Sequence, residues 1–226
     1  MFKFISLKPY LLVITFFLCH LSYGQSPVYK KLGVESGLPS SEVLDLFTDN
    51  KGLVWIGHRK GISSFDGSTF KTYSNPKQSS LALSDIHQDY LGRIWCHNFT
   101  GQVFYIDNDS LKLFEDFNSN LISNYSSIFI YRGKELFISE DYAVFYKNLE
   151  TGTIKKLKPK DHAKDSAFRV TLIEKGPSQK LLFQTYYSGF YEYKDSEIVP
   201  YKLIENQNPI LPEHKNEVMR FISGPE

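Results

Sequence analysis

The feature that most constrains the fold of this chain is an internal repeat with a period of 40 residues. The segment Asp49-Asn-Lys-Gly-Leu-Val-Trp-Ile-Gly57 matches Asp89-Tyr-Leu-Gly-Arg-Ile-Trp-Cys-His97, and a glycine follows six residues after each tryptophan. The positions shared by the two copies are Asp49 and Asp89, Gly52 and Gly92, Trp55 and Trp95, and Gly61 and Gly101. Self-similarity at a period of this length is typical of proteins built from stacked copies of one small unit.

Two weaker copies of the unit follow. Phe137 takes the tryptophan position in the third copy, and Ala143 lies six residues after it. Phe183 takes this position in the fourth copy, and Gly189 lies six residues after it. The four key aromatic residues are therefore 40, 42 and 46 residues apart. Because the six-residue offset persists while the surrounding sequence drifts, we interpret all four segments as copies of one unit.

Each copy has the pattern of four short strands separated by turns. In the first copy the strands are predicted at 43–47, 53–57, 61–65 and 69–73. Asp66-Gly67 between the last two is a strong hairpin signal, since glycine readily adopts a positive φ. An aromatic content of 15% also suits half-buried strands better than helices.

Four antiparallel strands per unit, repeated in tandem, predict an all-β fold, a β-propeller of four-stranded antiparallel blades. The blades are predicted at approximately residues 41–74, 81–115, 126–158 and 168–204. The key aromatic residue of each blade is expected to pack between adjacent blades. It could instead be an ordinary core residue of a β-sandwich, but a sandwich does not require a fixed repeat.

The two ends of the array resemble isolated strands of further blades. Residues 27–32 resemble the fourth strands and lack three strands before them, while residues 216–223 resemble a first strand with nothing after it. A propeller closes by completing its last blade with a strand from the other terminus. We therefore expect residues 25–226 to form about four blades of an incomplete propeller, the front part of a longer one.

The N-terminus is predicted to be a secretory signal peptide covering residues 1–24. Lys3 and Lys8 precede an apolar run at 10–18, and Ser22 and Gly24 suit a signal-peptidase site. The alternative is an uncleaved anchor. Cleavage before Gln25 predicts a periplasmic or otherwise extracytoplasmic protein, whose full-length parent would be anchored in the inner membrane.

Neither charge nor motifs predict chemistry or nucleic-acid binding for this segment. The 26 Lys and Arg residues balance 25 Asp and Glu residues, which gives no electrostatic reason to propose a nucleic acid or an anionic membrane surface as a partner. The sequence contains no P-loop, no nucleophile elbow and no zinc-binding cysteine pair, so we expect no catalytic residue, no metal and no cofactor. Cys96 is expected to be a buried apolar residue.

The acidic and histidine side chains are given structural interpretations as well. Asp49 and Asp89 are expected to cap turns through their carboxylates. The histidines after the predicted signal peptide are scattered along the sequence and are expected to be surface or turn residues. They are His58, His87, His97, His162 and His214.

At these residues the chain resembles the two-component regulator propeller repeat. The matching segments are Gly37-Leu-Pro-Ser-Ser-Glu-Val43, Asp49-Asn-Lys-Gly-Leu-Val-Trp-Ile-Gly57, Gly61-Ile-Ser-Ser-Phe-Asp-Gly67 and Phe70-Lys-Thr-Tyr73. The first unit matches closely, the second fairly, and the third and fourth are degenerate.

This resemblance implies an extracytoplasmic sensory domain ahead of signalling modules on the same polypeptide, often a histidine kinase. It also implies a small ligand, with an oligosaccharide as one candidate, and a homodimer as one candidate assembly. Kinase activity would belong to such a longer parent and not to this segment.

The candidate ligand-binding residues lie in the turns between the second and third strands. In a propeller these turns share one face with the connections between blades, and their tips combine aromatic faces with hydrogen-bonding groups. The alternative is that they are solvated loop tips. The candidates are His58, Arg59, Lys60, Asn98, Phe99, Thr100, Glu140, Asp141, Tyr142, Tyr186, Tyr187 and Ser188.

Three functional classes follow from these observations. The first is a sensory, ligand-binding propeller of a two-component receptor. The second is a stand-alone periplasmic binding or assembly propeller. The third is a propeller enzyme such as a polysaccharide lyase, which would need converging acids or metal ligands that these four units do not contain.

Overall fold

The structure is a computed structural model that describes residues 29–117, 127–140, 142–159, 168–186 and 188–202. The strands form four separate four-stranded sheets, and in each sheet every strand pairs antiparallel with the next strand along the chain. The all-β architecture of four-stranded blades predicted from the repeat is therefore confirmed. All four sheets belong to one compact unit that begins at Gly33.

The sixteen strands follow the repeat closely. The first blade contains β1 Val43–Thr48, β2 Val54–His58, β3 Gly61–Phe65 and β4 Phe70–Tyr73. The second contains β5 Leu83–Gln88, β6 Ile94–Asn98, β7 Gln102–Asp107 and β8 Ser110–Asp116. The third contains β9 Ile128–Tyr131, β10 Glu135–Glu140, β11 Ala143–Asn148 and β12 Ile154–Leu157. The fourth contains β13 Val170–Lys175, β14 Leu181–Thr185, β15 Phe190–Lys194 and β16 Glu197–Tyr201. Single 3₁₀ turns lie at Val34–Ser36 and Pro177–Gln179.

In the first blade, one carboxylate holds together the turn between β1 and β2 and the tryptophan that follows. Asp49 Oδ1 accepts hydrogen bonds of 2.9 Å from the backbone N–H groups of Lys51 and Leu53. Its Oδ2 accepts a 2.9 Å hydrogen bond from the indole Nε1–H of Trp55. The repeated Asp and Trp are therefore one hydrogen-bonded unit, which explains their fixed six-residue spacing.

The second blade repeats this arrangement and adds an ion pair. Asp89 Oδ1 accepts hydrogen bonds from the backbone N–H groups of Leu91 and Arg93, and Oδ2 accepts one of 2.9 Å from Trp95 Nε1–H. The guanidinium of Arg93 lies 2.6 Å from Oδ2. Both aspartates thus cap their turns, as expected from the sequence, and in addition orient the buried indole.

The key aromatic residues pack between consecutive sheets. Trp55 lies in an apolar cluster with residues of the second blade, including Ile86 and Phe104. Phe137 and Phe183 share a cluster that joins the third and fourth blades, with ring centroids 5.8 Å apart. The blades are therefore held to one another largely by apolar burial, with these aromatics as the largest contributors.

A second repeated contact, a hydrogen bond from a side chain to a backbone N–H, links adjacent blades. In each of three blades, the side chain ten residues before the key aromatic accepts a backbone N–H from the next blade. The pairs are Asp45 Oδ2 with Ile86 N at 2.6 Å, Asp85 Oδ2 with Ile128 N at 3.2 Å, and Ser127 Oγ with Ile173 N at 3.3 Å. These bonds fix the contact between neighbouring sheets.

The predicted outlying segments are seen only in part. Residues 29–32 of the predicted outer strand 27–32 are in no strand. The predicted signal peptide 1–24 and the predicted first strand 216–223 lie outside the described residues. Within the described ranges there is no helix long and apolar enough to cross a membrane.

The Asp–Trp unit predicts different costs for the same substitution in the two blades. Trp95→Phe leaves the buried Asp89 carboxylate without one of its donors, whereas Trp55→Phe leaves the partly exposed Asp49 open to water. Both changes remove the same atoms. We expect Trp95→Phe to lower the free energy of unfolding by about 1–3 kcal/mol more than Trp55→Phe, measured by urea unfolding. Equal losses would contradict the role assigned to the buried carboxylate.

The packing of the first two blades also predicts an unreactive thiol. Cys96 is fully buried in the apolar cluster between these blades, and burial raises the pKa of its thiol well above the usual range. In a Cys19→Ser variant, iodoacetamide is expected to leave the folded protein unmodified and to label Cys96 in urea. Labelling of the native protein at the rate seen in urea would contradict this packing.

Candidate functional site

The turns between the second and third strands lie at the same end of every blade. The connection between the first two blades lies at this end as well, because Asn98 Nδ2 donates to the carbonyl of Ser80, and Ser79 Oγ lies 2.5 Å from Thr100 Oγ1. The structure therefore places the predicted ligand-binding turns and a connection between blades together, as expected for one face of a propeller.

In the first blade, His58 organises the turn from inside the blade. Its side chain is buried, and its Nδ1 accepts the N–H of Lys60 at 3.1 Å. The other ring nitrogen must then carry the proton, and it donates to Ser63 Oγ at 2.9 Å. Burial, and then the nearby Lys60 charge, lower the pKa of His58 and keep it neutral. Its ring is therefore not at the loop tip, where Arg59 and Lys60 are exposed.

Asn98 occupies the position of His58 in the second blade and holds its turn in the same way. It is fully buried, and its Oδ1 accepts hydrogen bonds from Thr100 N, Thr100 Oγ1 and Gln102 N. Its Nδ2 donates to Gln102 Oε1 at 2.8 Å. All polar atoms of the Asn98 side chain are thus used within the protein, and Phe99 and Thr100 form the exposed tip.

The third and fourth turns differ from the first two. Glu140 is half-buried and pairs with Lys156 of β12 at 2.5 Å. In the fourth blade the turn is held by Thr185 Oγ1, which accepts the N–H of Ser188 and donates to the carbonyl of Gly189. The predicted residues Asp141 and Tyr187 lie outside the described residues.

Three consecutive blades each present an exposed aromatic side chain at this end. Phe99 is 47% exposed, Tyr142 40% and Tyr186 47%. Leu81, in the connection between the first two blades, is also exposed. The ten candidates within the described residues therefore divide into residues that hold the turn and residues that form its tip. The repeat pattern alone does not separate these two groups.

A second polar cluster lies on the first strands of the blades, and the sequence analysis did not predict it. It contains Asp45 of β1, Asp85 and His87 of β5, and His97 of β6. The charges of these side chains shift one another's pKa values. His97 Nε2 lies 3.3 Å from Asp85 Oδ2, and the His87 ring packs 4.7 Å from the ring of Phe129 in the third blade. The ten-residue offset from each key tryptophan to Asp45 and Asp85 was the available signal.

The expectation that the histidines are surface or turn residues was therefore wrong for His97, which is buried between two blades. It was correct for His58 only as a turn residue, since the side chain is buried. His87 is half-buried against Phe129. His162 and His214 lie outside the described residues. Within the described ranges, no group of three or more His, Cys, Asp or Glu side chains is placed to hold a metal ion.

Comparison with known proteins matches the first repeat to a family. The family model described as Two component regulator propeller matches residues 37–60. Histidine kinase P4 from Formosa agariphila is 40% identical over 57 residues, which are 25% of this chain and 4% of the kinase. This chain therefore spans a small fraction of the length of that relative.

Solved structures resemble the whole set of blades. Virginiamycin B lyase from Staphylococcus aureus has a TM-score of 0.57 at 23% identity, covering 76% of this chain and 59% of the lyase. The extracellular domain of a hybrid two component system from B. thetaiotaomicron has a TM-score of 0.57 at 20% identity, covering 77% of this chain and 26% of that one. At these identities the likeness shows the propeller fold alone. The resemblance of the first repeat to two-component regulator propellers is confirmed by the family model, which matches residues 37–60.

Proposed function

We propose that this chain is an extracytoplasmic, ligand-binding propeller that supplies the sensory input of a two-component signalling receptor. The observation that carries the proposal is the row of exposed aromatic side chains, Phe99, Tyr142 and Tyr186, on consecutive blades of a chain with a two-component regulator repeat. Exposed aromatics at rigidly held turns are typical of binding surfaces, since most proteins bury such groups.

The chemistry of this face suits a small polar ligand with flat apolar surfaces. Aromatic rings bind such surfaces by stacking, and neighbouring hydroxyl and cationic groups supply hydrogen bonds. Thr100 accompanies Phe99, and the tip of the first blade contributes Arg59 and Lys60. An oligosaccharide has the required combination of apolar ring faces and hydroxyl groups.

Two of the three turns that present these side chains are closed by side-chain hydrogen bonds, which favours recognition over non-specific contact. Asn98 and Thr185 each close their turn with several hydrogen bonds. A ligand therefore meets preorganised groups and loses less free energy to ordering of the site. It would signal by binding one conformation of the receptor more tightly than another.

The outer face of the first blade supports the proposal that these blades are part of a longer propeller. Leu46 is 63% exposed, whereas Ile86, its equivalent in the second blade, is 3% exposed because it packs on the first blade. Apolar packing of the kind that buries Ile86 would also bury Leu46, so we expect another four-stranded sheet of the same polypeptide to pack there. Signalling modules would follow on that polypeptide.

Export and the absence of catalysis are further parts of the proposal. The predicted signal peptide at residues 1–24 and the neighbour that is an extracellular domain support an extracytoplasmic location. His58 and Asn98 are engaged in structural hydrogen bonds within their turns, which leaves recognition of a ligand to the exposed tips.

The ligand face is tested by binding measurements on matched variants. A panel of soluble oligosaccharides and short peptides is screened by thermal shift, and binders are measured by calorimetry. The triple variant Phe99→Ala/Tyr142→Ala/Tyr186→Ala is expected to weaken binding by at least tenfold, or about 1.4 kcal/mol, because stacking is lost.

Tyr90→Ala provides the control, since Tyr90 is similarly exposed but lies in the turn between β5 and β6, at the opposite end of its blade. Its binding constant is expected to stay within about twofold of wild type. Equal losses in both variants, or unchanged binding in the triple variant, would show that this face does not bind the ligand.

A further inference from the structure

His97 is buried between two hydrogen-bond acceptors. Its side chain is 3% exposed. Nδ1 lies 2.9 Å from the backbone carbonyl of Asn98, and Nε2 lies 3.3 Å from the Asp85 carboxylate. A carbonyl and a carboxylate can only accept, so both ring nitrogens must donate if both contacts are to be favourable.

Nδ1 forms a hydrogen bond with the Asn98 carbonyl, whereas Nε2 lies at ion-pair distance from Asp85 without hydrogen-bond geometry. A positive charge on the His97 ring makes both contacts favourable. Either neutral tautomer leaves one ring nitrogen with a lone pair facing an oxygen lone pair, at a site that water hardly reaches. Burial by itself lowers the pKa of His97, but the Asp85 carboxylate outweighs burial and raises the pKa above its ordinary value of 6.5. Partial desolvation raises the pKa of Asp85, but the pairing with His97 outweighs it and lowers the pKa below its ordinary value.

Asp85 connects this histidine to the next blade. Its Oδ2, the atom that faces His97, also accepts the N–H of Ile128 in the first strand of the third blade. Asp85 has a positive φ of 54° within an irregular part of the β5–β6 pairing. Its side chain is 34% exposed, so water can compete for the carboxylate when His97 no longer holds it.

We propose that His97 and Asp85 form a proton-dependent link between the second and third blades, closed at mildly acidic pH and weakened as the pH rises. With His97 neutral, the Asp85 carboxylate turns towards solvent and the hydrogen bond to Ile128 N–H is lost. The inference goes beyond the proposed ligand-binding function and does not depend on it.

The equivalent position in the other blades carries no titratable group. Two residues after the key aromatic lie Gly57, His97, Ser139 and Thr185. At Gly57 a Cβ atom would lie only 2.5 Å from the carbonyl oxygen of Leu83, so no side chain fits there. Ser139 Oγ accepts the N–H of Ser127 instead. A histidine at this position is therefore specific to one junction.

The link also reaches the candidate ligand face. Asn98, whose carbonyl accepts a hydrogen bond from His97 Nδ1–H, organises the turn whose tip is Phe99. The rings of His97 and Phe99 lie 6.2 Å apart, edge to face. A change in the protonation of His97 would thus affect both the junction and one of the exposed aromatic residues, Phe99.

The pH range follows from the directions of the two pKa shifts. A raised His97 pKa stabilises the folded state below the ordinary histidine pKa of 6.5, and this is lost as the pH rises through the higher folded pKa. A lowered Asp85 pKa stabilises it above 3.8, and this is lost as the pH falls through the folded pKa. Other groups facing His97 are Asp45 of β1, which also raises its pKa, and His87, whose pKa is lowered by burial.

Amide hydrogen exchange on the full chain, without ligand, tests the link directly. The protection factor of Ile128 N–H, corrected for intrinsic exchange, is measured at pH 5.5 and 8.5. We expect it to fall several-fold at the higher pH, because the acceptor is released. Ile173 N–H is the internal control, since its acceptor at the next junction is the neutral Ser127 hydroxyl and its protection should not change.

His97→Gln is expected to remove the pH dependence at Ile128, because glutamine does not titrate. Asp85→Asn keeps an acceptor for Ile128 N–H without the charge, and should lower the pKa of His97 measured by NMR. A protection factor at Ile128 that stays constant between the two pH values in the wild type overturns the proposal. An equal fall in protection at Ile173, or at Ile128 in His97→Gln, overturns it as well. So does an NMR pKa of His97 below 6.5, and these wild-type measurements decide even if a variant does not fold.

Discussion

Everything else in this structure depends on the packing of one large aromatic side chain between adjacent sheets. A four-stranded sheet cannot bury its apolar faces alone, so each blade is stable only against its neighbours. Trp55 and Trp95 supply the largest buried side chains in the first two blades, but an indole brings an N–H into the interior. The aspartate six residues earlier accepts that N–H and caps the turn with the same carboxylate. Burial and turn geometry are therefore coupled.

The same requirement to satisfy buried polar groups shapes the candidate ligand face. The residue three positions after the key aromatic enters a turn whose backbone donors need acceptors, and His58 and Asn98 both provide them from within the blade. Once these side chains are committed to the turn, the next residues are free to point outwards. This explains why rigid turns and exposed aromatic tips occur together, and why the tips vary between blades while the turn remains.

The blades share a fold but not their electrostatics. Two junctions are linked by carboxylates, from Asp45 and Asp85, and one by the hydroxyl of Ser127. His97 lies at ion-pair distance from one of these linking carboxylates, Asp85. A buried ion pair of this kind stabilises little by itself, but losing one partner is costly because a buried charge is left uncompensated. On the proposal made above, the strength of the junction between the second and third blades depends on the protonation of His97.

By itself, the sequence determined the number of strands per unit, the blade architecture and the capping role of Asp49 and Asp89. These features depend on strand periodicity and turn chemistry, which act over a few neighbouring residues. The packing of sheets decided the rest. It buried His58 and His97, left Phe99, Tyr142 and Tyr186 exposed, and brought Asp85 to Ile128 from 43 positions away in the chain. Exposure and protonation are set by what surrounds a side chain in space, and a repeat pattern does not specify those surroundings.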